Sequence, residues 1–320
     1  MSVLDDASLV LIPSGYKSGK LYSVVPTSGA GDLTFSRSTT GTRVNENGLI
    51  ETVAINTPRL DFTSGGCGKY LFEPQRTNIY LNGDTLVTQN VSTSATTYTV
   101  AFEGTGTITF SGTYSGSLVG TGASDRVEFT FTATAGTLTS TISGSCTSGQ
   151  LEVGSYATSY IPTAGTSVTR TADSSVTNTS IPSGDDGTLF FIISDLIGVD
   201  PNESILNFND NNVRKIILRS VNNANQSPAI RFQSDSGFLT GGININALGD
   251  NKIAIAWVGT TELVIYVNGV SITPDHLFGS TFTIDKLGFD TADGSTYKLS
   301  QFYQSNDRLT NTQLAALTTL

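Results

Sequence analysis

The sequence contains few of the residues on which most metal, redox and hydrolytic chemistry depends. Its 320 residues include one histidine, His276, and two cysteines, Cys67 and Cys146. A single histidine and the lack of a Cys-x-x-Cys pair exclude the common structural zinc sites. The cysteines lie far apart in the sequence, and we expect both to be reduced thiols, as is usual for a protein held in a cytosol.

Charged residues and long hydrophobic runs are also scarce. Only 14% of the residues are charged, and the net charge is −10. The basic residues form no cluster of the kind that binds nucleic acid, and the acidic balance opposes binding to anionic membranes. No segment reaches the roughly 18 apolar residues of a spanning helix, and residues 1–6 lack the cationic start of a signal peptide. We therefore expect no nucleic-acid partner, no membrane insertion and synthesis in a cytoplasm.

Serine, threonine, glycine and asparagine fill the polar positions instead, as is typical of strands and turns. Apolar and polar residues alternate in many short segments, so that Tyr98, Val100 and Phe102, for example, fall on one face of a strand. Asn-Gly and Asp-Gly pairs separate these segments. Short strands divided by such turns predict antiparallel sandwiches rather than parallel α/β units.

Residues 184–320 have the clearest strand pattern. Within them, residues 263–272 predict a hairpin, because Asn268-Gly269 suits a type I′ turn. Together with the strand predicted at 252–258 and a short helix near the end, this hairpin resembles part of the concanavalin A-like and laminin-G-like jelly rolls. The resemblance implies a lectin-type fold for this part of the chain.

The predicted helix follows Thr310. Thr310 and Gln313 have the spacing of a capping box, and Leu309 and Leu314 have that of a hydrophobic staple. We expect Leu314 and Leu317 to face the sandwich, so that the helix closes the domain.

The predicted fold class is all-β. It consists of two antiparallel jelly-roll-type β-sandwiches, preceded by an irregular β-rich N-terminal region and followed by one short C-terminal helix. We assign residues 1–84 to attachment and oligomerisation, 85–163 to a small sandwich similar to carbohydrate-binding modules, 164–183 to a linker, and 184–320 to the jelly roll.

Three phrases in the first half of the chain indicate a biological setting. They are residues 35–51 (FSRSTTGTRVNENGLIE), 72–79 (FEPQRTNI) and 149–163 (GQLEVGSYATSYIPT). In this order they resemble the recurring signature of bacteriophage virion surface proteins, mostly head or tail fibres and carbohydrate-binding-like proteins. The resemblance implies a location on the virion surface, other virion proteins as partners through the N-terminal region, and a homotrimer.

Carbohydrate sites normally combine aromatic platforms with amide or carboxylate hydrogen bonds. Tyr266 alternates with apolar neighbours and is a candidate exposed ring, and Tyr297 is a second candidate. Asn222 and Asn223 lie in an amide-rich loop that fits either sugar contacts or simple solvation. Trp257 shares a face with isoleucines and is predicted to lie in the core.

Three aspartates are candidates for Ca²⁺, which prefers several hard oxygen ligands. Asp210 lies among asparagines, and Asp290 and Asp293 lie close together. None belongs to an EF-hand, and a plain turn explains each of them more simply. We expect no other cofactor.

We find no catalytic constellation. His276 is the single histidine, and Asp275 is too close in sequence to orient it. The Glu-x-Asp-x-x-Glu spacing of retaining jelly-roll glycosidases is also missing. We therefore predict a non-enzymatic fibre component that adheres to host-surface glycans. A capsid or tail decoration protein without a ligand, and a polysaccharide depolymerase, are the alternatives.

Overall fold

The computed structural model describes residues 7–63, 65–177, 185–198, 203–210, 213–222, 228–234, 237–238, 240, 243–246, 248–278, 286–291 and 294–320. Side chains are described throughout these ranges except at 176–177, 203–210, 213–222, 228–229, 233–234, 237–238, 286 and 290. None of the helices in these ranges is long and apolar enough to cross a membrane.

The described residues are nearly all β. The strands of the first half are β1 (Ala7–Lys17), β2 (Lys20–Val25), β3 (Leu33–Ser36), β4 (Gly41–Val44), β5 (Ile50–Val53), β6 (Arg59–Asp61), β7 (Lys69–Phe72), β8 (Arg76–Asn78), β9 (Gln89–Thr93), β10 (Thr96–Gly104), β11 (Thr107–Gly112), β12 (Gly116–Val119), β13 (Gly122–Ala133), β14 (Gly136–Ser143) and β15 (Cys146–Val153). The remaining elements are β16 (Val168–Arg170), β17 (Ser174–Thr177), β18 (Asp186–Ile197), β19 (Glu203–Asp210), β20 (Val213–Asn222), β21 (Pro228–Ser234), β22 (Gly237–Phe238), β23 (Ile243–Asn244), β24 (Asp250–Val258), β25 (Glu262–Val267), β26 (Val270–Ile272), β27 (Lys286–Asp290), β28 (Thr296–Ser305) and helix α1 (Asn311–Thr318).

The chain divides into two compact units. Unit 1 consists of residues 1–38, 55–74 and 172–320, and unit 2 consists of residues 39–54 and 75–171. Unit 1 therefore holds β1–β3, β6, β7, β17–β28 and α1, and unit 2 holds β4, β5 and β8–β16. The chain passes from one unit to the other after residues 38, 54, 74 and 171, so neither unit is a continuous stretch of sequence.

Unit 1 is a jelly-roll-type sandwich built around β18 and β28. These strands pair with each other; β24, β25 and β26 extend the sheet beyond β18, and β1 and β7 pair with β28. A second run of pairings joins β3, β17, β27, β19, β20 and β21. Side chains from both groups share one buried cluster, which includes Phe35, Phe191, Trp257, Phe289 and Phe302.

The N-terminal segment is part of this sandwich. Strand β1 pairs with β28 between Ala7↔Ser305 and Leu11↔Phe302. Leu9, Leu11, Leu21, Leu33, Phe35, Tyr70 and Phe72 all belong to the buried cluster of unit 1. The observed boundaries thus differ from a separate region at 1–84, because strands that pair across almost the whole chain leave no local pattern in the sequence. An attachment role for this segment stays a prediction.

Residues 164–177 are not a free linker. Strand β16 pairs with β8 inside unit 2, whereas β17 pairs with β3 and β27 inside unit 1. The remaining predicted linker residues, 178–183, lie outside the described part of the chain.

Unit 2 is a sandwich of a β13–β10–β15 sheet and a β12–β11–β14–β9 sheet. The predicted apolar face of β10 is confirmed, since Tyr98, Val100 and Phe102 are buried in the core of this unit. The other face of β10 is buried too: Thr99 and Ala101 have no exposed surface. Thr99 Oγ1 donates to the carbonyl of Gly154 at 2.9 Å, so the chain that follows β15 covers this face.

The two strong local predictions are confirmed. Asn268 and Gly269 have φ values of 52° and 81°, as a type I′ turn requires. Helix α1 begins after Thr310 with a complete capping box to Gln313. Leu309 and Leu314 are buried against Phe190, Ala254 and Tyr303, with Leu317 partly buried beside them.

Candidate functional site

The surface of unit 1 has a groove of about 680 Å³. Strands β1, β6, β7, β24 and β28 and the turn between β6 and β7 contribute its lining residues, which are Pro13, Ser14, Leu60, Gly65, Gly66, Cys67, Gly68, Lys69, Asp250 and Ser300. Because β1 and β7 both pair with β28, the fold brings N-terminal and C-terminal residues together in one depression.

Glycines shape one wall of the groove. Gly65 and Gly66 have φ values of 71° and 67°, which favour glycine, and apart from their chain neighbours no described atom lies within 4 Å of where their Cβ atoms would be. Gly68 is packed tightly, because a Cβ atom there would lie 2.6 Å from the side chain of Leu60. The turn between β6 and β7 therefore leaves open space beside residues 65–66. At Gly68 it packs closely against Leu60 of β6.

Lys69 and Asp250 form an ion pair on this groove. Lys69 Nζ donates to Asp250 Oδ1 at 2.6 Å and to Ser194 Oγ at 3.1 Å. The Lys69 side chain is 15% exposed and that of Asp250 is 44% exposed. The ammonium is thus held from two sides, and the carboxylate is the group more open to solvent.

A second lysine neighbours this pair in the fold. Lys298 Nζ lies 2.9 Å from Asp61 Oδ1 and 3.1 Å from Asp195 Oδ2. Burial lowers the pKa of Lys298, but the carboxylates of Asp61 and Asp195 raise it by more, so its pKa lies above the usual value. Lys298 therefore keeps its charge at neutral pH, and both carboxylates are engaged by it.

The two tyrosines predicted for sugar binding are buried. Tyr266 is only 8% exposed and packs in the cluster that includes Leu309 and Leu314. The predicted exposure of this ring is therefore wrong, because the sheet face on which it lies is covered by the C-terminal helix and its staple. Tyr297 has no exposed surface and stacks on Phe72 with ring centroids 5.3 Å apart.

The other predicted site residues either have only their backbone described or lie outside the described residues. Asn222 ends β20 and its side chain is not described, and Asn223 lies outside the described residues. Asp210 and Asp290 end β19 and β27, also without described side chains, and Asp293 is outside. Among the described residues, no group of three or more His, Cys, Asp or Glu side chains could hold a metal ion. Sugar and Ca²⁺ binding at these positions stay predictions.

Three other expectations concern single residues. Trp257 is 1% exposed and lies in the core, as predicted. His276 is exposed on the loop before Phe278. Cys67 and Cys146 are free thiols, the first exposed at the groove and the second buried in unit 2.

Residues of two signature phrases meet in a buried ionic cluster of unit 1. Asp173 accepts hydrogen bonds from Arg37 Nη1 at 3.0 Å, from Arg59 Nη2, and from the backbone N–H of Glu73 at 2.9 Å. Arg59 Nη1 donates to Glu73 Oε2 at 2.6 Å. All four side chains are 3% exposed or less. The positive charges of two guanidinium groups and the negative charges of two carboxylates thus balance inside the protein.

The third phrase builds a polar network inside unit 2. Asn78 Nδ2 donates to the carbonyls of Gly149 and Ile161, at 3.0 and 2.9 Å. Glu152 accepts from Gln150 Nε2 and from the backbone N–H of Thr158, at 2.9 and 2.6 Å. Burial raises the pKa of Glu152, although these hydrogen bonds and the charge of Arg170 oppose the change. The buried polar residues of the phrases, Arg37, Glu73, Asn78, Gln150 and Glu152, therefore hold each unit together from the inside.

Sequence reasoning missed Lys69 and Asp250. They are 181 positions apart, and neither belongs to a motif with a fixed spacing. The pair Gly65-Gly66 next to Lys69 was the only local signal, since it marks a turn.

Comparison with known proteins finds distant structural matches alone. No protein-family model and no curated protein matches the sequence. A structure of botulinum neurotoxin type C, studied for its interaction with two ganglioside molecules, aligns with 46% of this chain and 39% of its own at 12% identity and a TM-score of 0.37. A native heptameric SAP-like pentraxin from Limulus polyphemus aligns with 43% of this chain and 71% of its own, at 13% identity and a TM-score of 0.36. Likeness at this level says nothing about what this chain binds.

Proposed function

We propose that this chain is a bacteriophage virion surface protein, a fibre component whose lectin-like sandwich adheres reversibly to host-surface glycans. The proposal includes a homotrimer attached to other virion proteins through the N-terminal region. The three ordered phrases support the setting. The groove of unit 1 is the observation that carries the binding role, because Lys69 and Asp250 present a donor and an acceptor beside an open turn.

A fibre of this kind does not need a tight single site. Many copies on one particle raise the effective concentration of the remaining sites after the first contact, so weak single-site affinity becomes strong attachment.

The second candidate is a decoration protein that binds no ligand. One observation favours it: the large apolar side chains exposed in the described part of the chain are all aliphatic. None of these exposed side chains is therefore an aromatic platform for a sugar ring.

A bacterial-glycan array, with size-exclusion light scattering on the same sample, tests the proposal. We expect saturable binding to defined glycans by a trimer. A stable, folded oligomer that binds no glycan supports the decoration protein instead, and shortened glycans recovered after incubation support the depolymerase.

A further inference from the structure

The hydrogen-bonding groups of the Lys69–Asp250 pair are only partly used. A lysine ammonium has three N–H donors, and the described residues use two of them, through Asp250 Oδ1 and Ser194 Oγ. The carboxylate of Asp250 accepts from Lys69 through Oδ1, and no described residue donates to Oδ2. One donor and one acceptor thus remain next to each other at the groove.

The opposite charges of Lys69 and Asp250 favour one class of ligand over others. The ammonium and the carboxylate cancel, so an ionic ligand gains little from replacing one of them. The chain as a whole has a net charge of −10, which disfavours the approach of acidic polysaccharides. A neutral ligand that both donates and accepts hydrogen bonds fits this pair best.

We propose that the groove binds a neutral saccharide through two adjacent hydroxyl groups, one donating to Asp250 Oδ2 and the other accepting from Lys69 Nζ. A hydroxyl group can both donate and accept, so a vicinal diol matches the neighbouring acceptor and donor. Bonds to charged groups are stronger than those between neutral groups. This inference rests on the proposed glycan adhesion and gives it a site and a ligand class.

The size of the groove fits a small neutral saccharide. Its volume of about 680 Å³ falls within the range of roughly 300–1,000 Å³ typical of small-molecule sites. Gly65 and Gly66, which line the same groove as the charged pair, add no side chain to fill it. Ser300 also lines the groove, and its buried hydroxyl makes no hydrogen bond to another described residue.

The inference is tested with the intact protein on a bacterial-glycan array, before and after mild periodate treatment of the same array. Periodate cleaves the bond between adjacent hydroxyl-bearing carbons, so binding to neutral glycans is expected to disappear after treatment. Asp250→Asn keeps the size of the side chain but replaces an acceptor oxygen with a donor group. We expect it to weaken binding by roughly tenfold or more, as for the loss of a hydrogen bond to a charged group.

Glu262→Gln is the matched control. Glu262 is 45% exposed and pairs with Arg308 in unit 1, so this variant also breaks a half-exposed ion pair but leaves the groove intact. It should bind like the wild type. Glycan binding that survives both Asp250→Asn and periodate would overturn the groove as the diol site while leaving the adhesin proposal standing. Wild-type protein that binds no glycan would overturn both.

Discussion

Asp173 is the residue on which the buried ionic cluster of unit 1 depends. It accepts hydrogen bonds from two guanidinium groups and from the backbone N–H of Glu73. Burial lowers the pKa of Arg59, but Asp173 and Glu73 raise it by more, so Arg59 keeps its charge at neutral pH. Arg37, Glu73 and Asp173 each lie within one residue of a point where the chain enters or leaves unit 1.

Asp173→Asn should destabilise the protein strongly. The variant leaves two buried guanidinium groups with one carboxylate, and an uncompensated buried charge costs about 3–5 kcal/mol. Urea unfolding measures the loss as a lower free energy of unfolding. Lys20→Met is the control, because it removes a pair with Asp32 in which the lysine is 48% exposed, and it should cost at most about 1 kcal/mol. Equal effects of the two variants would contradict a structural role for the cluster.

Glu152 should make the stability of the protein fall as the pH rises. Because burial raises its pKa in the folded state, the folded protein keeps a proton that the unfolded chain releases near the ordinary glutamate value of about 4.3. The free energy of unfolding contributed by this group is therefore fully present below that value, and it is lost as the pH rises through the raised pKa.

Glu152→Gln isolates this effect, since the glutamine does not titrate. We expect the free energy of unfolding of the wild type, minus that of the variant, to decrease with rising pH and then become constant. Chemical unfolding measured across the acidic and neutral range gives this difference. Parallel profiles for the two proteins would show that Glu152 does not titrate as proposed.

At the scale of the elements, helix α1 gives the clearest prediction. Thr310→Ala removes the N-cap, whose side chain accepts from the backbone N–H of Gln313, and should cost about 1 kcal/mol. Leu314→Ala leaves a cavity under the helix, where Leu314 is fully buried, and should cost about 2–5 kcal/mol. Thr312→Ala, at an exposed helical position, is the control and should change the stability little. Thermal unfolding of the three variants tests the order, and a larger loss for Thr310→Ala than for Leu314→Ala would contradict it.

The pattern of neighbouring residues in the sequence predicted those elements that neighbouring residues determine. The Asn268-Gly269 turn, the capped helix and the alternating strand β10 each follow from neighbouring residues. The burial of Thr99 and Ala101 on the second face of β10 could not be predicted, because the chain after β15 that covers them is distant in sequence.

The groove of unit 1 could not be predicted from the sequence, because none of the candidate site residues lines it. Carboxylate and amide groups were expected, but the tyrosines chosen with them are buried, because helix α1 covers Tyr266 and the core encloses Tyr297. Alternation along a strand shows which residues share a face, yet it does not show whether another element covers that face. Lys69 and Asp250 come together only through pairings among β7, β28, β18 and β24.

At the scale of the whole molecule, the N-terminal strands should be indispensable. A fragment of residues 85–320 lacks β1–β3, β6 and β7, and with them seven side chains of the unit 1 cluster, which are Leu9, Leu11, Leu21, Leu33, Phe35, Tyr70 and Phe72. We expect this fragment to expose the cluster and aggregate, as measured by light scattering after expression. A soluble, monodisperse fragment with a cooperative unfolding transition would show that these residues are an arm.

The proposed function is reversible adhesion without turnover. Surface plasmon resonance of the intact protein over immobilised bacterial surface polysaccharide, at low and high density, tests it most directly, with the length of the polymer measured afterwards. We expect weak, reversible binding that becomes much slower to dissociate at high density, through avidity, and a polymer of unchanged length. Folded protein that binds at neither density, or a polymer shortened by the contact, would contradict it.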